Sequence, residues 1–171
     1  MNLKHWKLGL IAALFSGSLY AAPVEVVSSF SILGDVAKQV GGERVNVSNL
    51  VGPDQDAHAY NLTSRDMQRI RNAKLVLVNG LGFEQAAVMR GIRQSGVPFA
   101  EATKNIQPMK AEDHDDDDHD HDHHGHGHDH GHHHHGEFDP HVWNDPVLMK
   151  TYAQNVADAL IKVDPQGRAY Y

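Results

Sequence analysis

The chain has 171 residues, 40 % of them hydrophobic, and a formal net charge of −7, enough for one domain with its own core and too little for two. The acidity is local: Glu112 to Glu137 holds ten Asp or Glu and no Lys or Arg, and outside that segment and the first 21 residues 13 basic residues face 12 acidic ones. No basic stripe offers a nucleic-acid face, and the lack of any cysteine excludes disulfides, thiolate metal sites and a lipid-bearing cysteine.

Lys4, His5 and Lys7 precede an apolar run, Leu8 to Phe15 (LGLIAALF), and Gly17, Ser18, Ala21 and Ala22 supply small residues after it. This is the layout of a cleavable signal peptide over residues 1–21, with Leu19 its one poor fit. The run is far short of the ~20 residues a spanning helix needs, and no other segment is apolar enough to cross a membrane. The mature chain, residues 22–171, is therefore expected to lie free in the periplasm, holding any metal through His, Asp and Glu.

Val24 to Ser28 (VEVVS) reads as a strand, and Ile32, Leu33, Val36, Ala37 and Val40 follow at helical spacing up to Gly41-Gly42. Val45 to Val51 alternates as a second strand and runs into the turn residues Gly52-Pro53-Asp54. Thr63 with Asp66 predicts a capping box for a helix to about Asn72. Leu75 to Val78 (LVLV) is continuously apolar, as in a strand covered on both faces. A helix from Glu84 to about Gln94 and a strand at Val97 to Ala100 come next, and a last helix runs from near Pro146 to Asp164-Pro165. Strands alternating with helices predict an α/β domain with a parallel sheet flanked by helices.

Residues 107–137 have no apolar periodicity and read as a disordered loop inserted into this domain. Twelve of the 15 histidines lie there: His114, His119, His121, His123, His124, His126, His128, His130, His132, His133, His134 and His135. Interleaved with Asp and Gly, they form an auxiliary metal-binding tract. Imidazole suits zinc, copper and nickel alike, so composition does not choose among them. Each ion should bind weakly, because its site must be ordered on binding. A purification tag would be an unbroken terminal run, whereas the longest run here is four, His132 to His135, inside the chain.

Two motifs could make a fixed site: DQDAHAYN at 54–61, after the second strand, and DPHVWNDP at 139–146, before the last helix. Ligands of a parallel sheet collect at the carboxyl ends of its strands. His58 and His141 would supply two imidazoles there, half of a tetrahedral zinc shell. Glu84, in GLGFE after the third strand, is a further candidate; its plainer role is that of an acidic residue favoured at a helix N-terminus.

These strings, with VVSSFSILGDVAKQVGGERV, LVGPDQDAHAYNLTSRDMQRIRNAKLVLVNGLGFE and NVADALIKVDP, resemble the periplasmic solute-binding proteins of zinc and manganese ABC importers. The resemblance covers nearly the whole mature chain outside the histidine tract. It implies that His58 and His141 are metal ligands from an N-terminal lobe. It also implies capture of Zn2+, with Mn2+ second, for delivery to an ABC transporter membrane permease. A histidine-rich loop between the two motifs points to the zinc-transporting members. Members have two α/β lobes joined by a long helix; this sequence stops at Tyr171, so it is expected to represent the N-terminal lobe of a truncated protein. Two other readings stand beside this one. In the first, the chain is a periplasmic zinc buffer or chaperone acting through the tract. In the second it is a zinc-dependent hydrolase, for which neither an H-E-x-x-H string nor a nucleophile motif is present. No enzymatic activity is expected.

Overall fold

The computed structural model describes residues 22–107, 109 and 138–171. The expected signal peptide, and the histidine tract with all twelve of its histidines, lie outside the described residues. Four strands, β1 (Val24–Phe30), β2 (Val45–Val51), β3 (Leu75–Val78) and β4 (Phe99–Glu101), form one parallel sheet in the order β2-β1-β3-β4. The helices are α1 (Ser31–Gly41), α2 (Ser64–Asn72), α3 (Ala86–Gln94) and α4 (Leu148–Val163). The α/β class and the parallel sheet expected from the sequence are those observed.

Alternation along the strands divides the core between two faces. Val26 and Phe30 of β1 and Leu75 and Leu77 of β3 point to one side, where α1 and α4 pack together and Leu33, Tyr152, Val156 and Leu160 close over them. Val27, Val76 and Val78 point to the other, against Ile70 of α2 and Val88 and Ile92 of α3. Covered on both faces, β3 is buried at all four positions, which is why it reads as an unbroken apolar run.

The capping box of α2 is present: the Thr63 hydroxyl accepts from the Asp66 N–H at 3.2 Å, and the Asp66 carboxylate accepts from the Thr63 N–H at 2.8 Å. Strand β1 runs two residues beyond expectation, to Phe30, and three other boundaries differ because a side chain or a proline intervenes. Helix α3 begins at Ala86, two residues after Glu84, whose carboxylate turns back onto the end of β3. Strand β4 covers Phe99–Glu101 instead of Val97 to Ala100. Pro98 has no N–H to give, and it joins the sheet only by accepting from the Val76 N–H at 2.9 Å. Helix α4 begins at Leu148, because the Asp145 carboxylate takes the Val147 N–H at 2.7 Å and holds Pro146 in the turn before it.

The topology has one functional consequence. From β1 the chain crosses to β2 on one side, then returns to lay β3 on the other. The connections thus diverge at the carboxyl ends of β1 and β3, opening the crevice where ligands of such sheets bind.

Candidate metal centre

His58 reaches this crevice from the loop after β2. That loop is held by local bonds: the Gln55 side chain accepts from the Gly52 N–H at 2.7 Å, and Asp56 Oδ1 accepts from the His58 N–H at 2.8 Å. Its far end is fixed by Tyr60, whose hydroxyl donates to Asp66 at 2.5 Å. Burial, followed by that carboxylate, pushes the Tyr60 phenol up to about 12. Burial also acts to raise the Asp66 carboxyl, but hydrogen bonds from Thr63, Tyr60 and Arg69 outweigh it and hold the group well below the usual range. Asp66 therefore ties the end of the histidine loop to the start of α2.

His141 arrives from the segment before α4. Asp139 accepts from its backbone N–H at 2.9 Å and contacts its ring Nδ1 at 2.6 Å. A carboxylate only accepts, so this contact puts the ring proton on Nδ1 and leaves the Nε2 lone pair for a metal. The ring centroids of His58 and His141 are 5.6 Å apart. Zinc bonds of ~2.0–2.1 Å at a tetrahedral angle would set two such centroids ~5 Å apart. The observed spacing of the two rings is close to that distance. Phe83 stands edge-on to His58 at 5.2 Å and to His141 at 6.1 Å, and Trp143 flanks His141 at 5.1 Å. Phe30 at the end of β1 packs against both Phe83 and Trp143, giving the pair an aromatic floor. Among the described residues no group of three His, Asp or Glu converges on one point.

Glu84 is not aimed at the rings. Its carboxylate accepts from Ser29 Oγ at 2.7 Å, the Asn79 N–H at 2.6 Å and the Gly80 N–H at 3.0 Å. Two successive backbone N–H groups make a nest for the carboxylate. Burial still raises its protonation point, with those donors pulling the other way. Glu84 is thus a structural pin and neither a ligand nor the helical residue of the sequence reading. The turn that it closes is unusual: Gly80, Leu81 and Gly82 have φ of 90°, 54° and 77° in succession. Left-handed backbone suits glycine but strains leucine, and the Leu81 conformation persists because the pinned turn dictates it.

Sequence reading also missed Asn79. It is fully buried, and its Nδ2 donates to the Pro140 carbonyl at 3.0 Å while its Oδ1 accepts from the Tyr152 hydroxyl of α4 at 2.9 Å. The available signal was an asparagine directly after LVLV and before two glycines, polar where the strand pattern is otherwise apolar.

Residues 26–171 match the family described as the zinc-uptake complex component A, periplasmic (ZnuA). The chain belongs to that family. It is a family of solute-binding proteins and not of enzymes, in keeping with the absence of a catalytic constellation from the sequence reading. A protein of Treponema pallidum (strain Nichols) is 34 % identical over 148 residues, which are 85 % of this chain and 45 % of that protein. The manganese-binding lipoprotein MntA of Halalkalibacterium halodurans is 29 % identical over 148 residues, 86 % of this chain and 42 % of that one. Among solved structures, the Mn-bound periplasmic metal-binding protein of Candidatus Liberibacter asiaticus superposes with a TM-score of 0.68 at 29 % identity, covering 86 % of this chain and 48 % of that one. The chain spans about half the length of these relatives. Among the described residues no helix is long and apolar enough to cross a membrane.

Proposed function

We propose that the chain is the metal-capturing lobe of a periplasmic solute-binding protein that takes up Zn2+ and delivers it to an ABC transporter membrane permease. The observation that carries this reading is the pair of imidazoles, His58 and His141, 5.6 Å apart, with Asp139 on the Nδ1 of the second. Asp139 orients the ring and raises its basicity as a ligand. The aromatic floor shields one side of the ion from water. Among the described residues no group of three His, Asp or Glu forms, which leaves the ion's other positions to water or to further donors. Zinc, ahead of manganese, is supported by the donor type, since imidazole favours zinc whereas carboxylate and water suit manganese. The twelve histidines of the tract support it too. The manganese named for two relatives pulls the other way. Export through the leader at residues 1–21 supplies the compartment.

The test is a titration of the whole chain, labelled with 15N at histidine, followed by ring-nitrogen resonances. His58 and His141 are assigned from the single His→Ala variants. Zinc should shift both rings together at concentrations where manganese leaves both signals sharp and in place, paramagnetic broadening being the mark of bound manganese. Unmoved His58 and His141 rings at saturating zinc would sink the assignment. The buffer reading, favoured by the tract's composition, would then be left, with all bound zinc on the twelve tract histidines. Manganese broadening the pair at concentrations as low as those at which zinc shifts it would overturn the metal preference alone.

A further inference from the structure

Both histidine loops are tied to one short segment, the turn that follows β3. On one side the Asn79 amide donates to the Pro140 carbonyl, the residue immediately before His141. On the other the Gln85 amide donates to the carbonyl of His58 itself. Between these two contacts lie the three left-handed residues and the Glu84 carboxylate, which binds the Asn79 and Gly80 N–H groups and fixes the distance from Asn79 to Gln85. Phe83 in the same turn is the ring against which both imidazoles stand. The turn is anchored further by the Tyr152 hydroxyl on Asn79 and by Thr103, whose Oγ1 donates to the Asn79 carbonyl at 2.6 Å. A Cβ at Gly80 would lie 2.7 Å from that same Thr103 oxygen, so only glycine fits there.

We propose that residues 79–85 are the ruler of the metal site, with Asn79 the positioning residue for His141 and Gln85 the positioning residue for His58. The inference rests on the proposed role of the two histidines as ligands of one ion. A bidentate site binds well only when its two donors are held at the spacing the ion requires before it arrives. The local bonds of the His58 loop and the Asp139–His141 contact act within each segment. Among the described residues, the turn after β3 is bonded to the backbone of both. Outer partners of metal ligands commonly change affinity 10- to 100-fold when removed, and the lower end is expected here because each contact acts through backbone.

The test uses the whole chain labelled with 15N at histidine and titrated with zinc, reading the His58 and His141 rings separately from the tract. Gln85→Ala and Tyr152→Phe should each weaken zinc binding at the pair by about tenfold without loss of helical circular dichroism. Gln85→Ala should broaden the free His58 ring signals while leaving those of His141 sharp; Asn79→Asp should do the reverse. Tyr171→Phe, at the opposite end of the sheet, controls for loss of stability and should leave the zinc titration unchanged. If Asn79→Asp does not fold, Gln85→Ala and Tyr152→Phe decide the matter. Folded variants that bind zinc at the pair like the parent chain would overturn the ruler while leaving the two ligands in place. Rings of the parent chain that ignore zinc would overturn the ligand assignment and the ruler with it.

Discussion

Glu84 at the carboxyl end of the sheet and Asp164 at its amino end each gather several donors, in contrasting surroundings. Glu84 takes a serine hydroxyl and two backbone N–H groups in a buried turn, and burial raises its protonation point. Asp164 takes the Tyr171 hydroxyl at 2.6 Å and the Arg44 guanidinium at 2.7 and 2.9 Å near the surface. Tyr171 first, and Arg44 after it, lower its protonation point. Ion pairs that stay close to water contribute little. Fixed backbone donors in a buried turn cannot reorganise, so the group they hold dictates the local shape. The carboxyl end, where the rings must be placed, is built in the second way, and the amino end, which only ties chain segments together, in the first.

The contrast is sharpest for the ligands themselves. If both rings serve one ion, as proposed, His58→Ala or His141→Ala should each abolish zinc binding at the pair, and the double variant should lose no more than either single one. Titration of the labelled ring left in each single variant checks the first outcome, and zinc bound per chain in the single and double variants checks the second. Losses that add would mean two independent weak sites.

This division also explains what the sequence disclosed. The strands were legible because burial on two faces leaves nothing but Val and Leu in β3, and the Thr63–Asp66 box marked α2 within three residues of chain. His58 and His141 were legible as histidines in loops at strand and helix ends. The ruler was not, because its bonds span the chain: Asn79 meets Pro140 61 positions away, and Gln85 meets His58 27 positions back. Nor could local pattern foresee that Glu84 would leave α3 to fill a nest. A carboxylate near a helix start is ordinarily read as favouring that start.

Removal of the buried carboxylate is the next largest effect expected. Glu84→Ala leaves Ser29 and two buried N–H groups without their acceptor, a loss of about 3 kcal/mol at ~1 kcal/mol or more for each orphaned donor. Urea unfolding measures it as a lower midpoint at an unchanged slope. An unchanged midpoint would show that the turn is held by Asn79 and Thr103 alone.

The two carboxylates should also respond to pH with opposite sign. Glu84 has its folded value raised, so the native state holds the proton more tightly, and stability is lost as pH rises above the unfolded value of ~4.3. Asp164 has its folded value lowered. Its contribution is present above the unfolded value of ~3.9 and is lost as pH falls through the folded one. Urea midpoints measured from pH 3 to pH 7 (about one unit apart) should therefore vary less on the alkaline side in Glu84→Gln and less on the acid side in Asp164→Asn. Parallel pH profiles for the parent and both variants would remove the contrast.

The smallest effect belongs to the amino end. Tyr171 is half-buried, and its hydroxyl donates to an Asp164 that keeps both of its Arg44 contacts when the phenol is gone. Phenylalanine preserves the ring, its packing against the α1–α4 core and its edge contact with Tyr170 at 6.0 Å. What is lost is a single hydrogen bond whose acceptor remains paired with Arg44, so Tyr171→Phe should cost about 0.5–1 kcal/mol. Zinc binding at the His58–His141 pair should not change at all, because none of the Arg44, Asp164 and Tyr171 bonds reaches the turn after β3. A loss as large as that of Glu84→Ala would mean that the amino-end carboxylate shapes the fold as the buried one does. Altered zinc binding would mean that α4, which joins Asp164 to Tyr152, carries strain from one end of the sheet to the other.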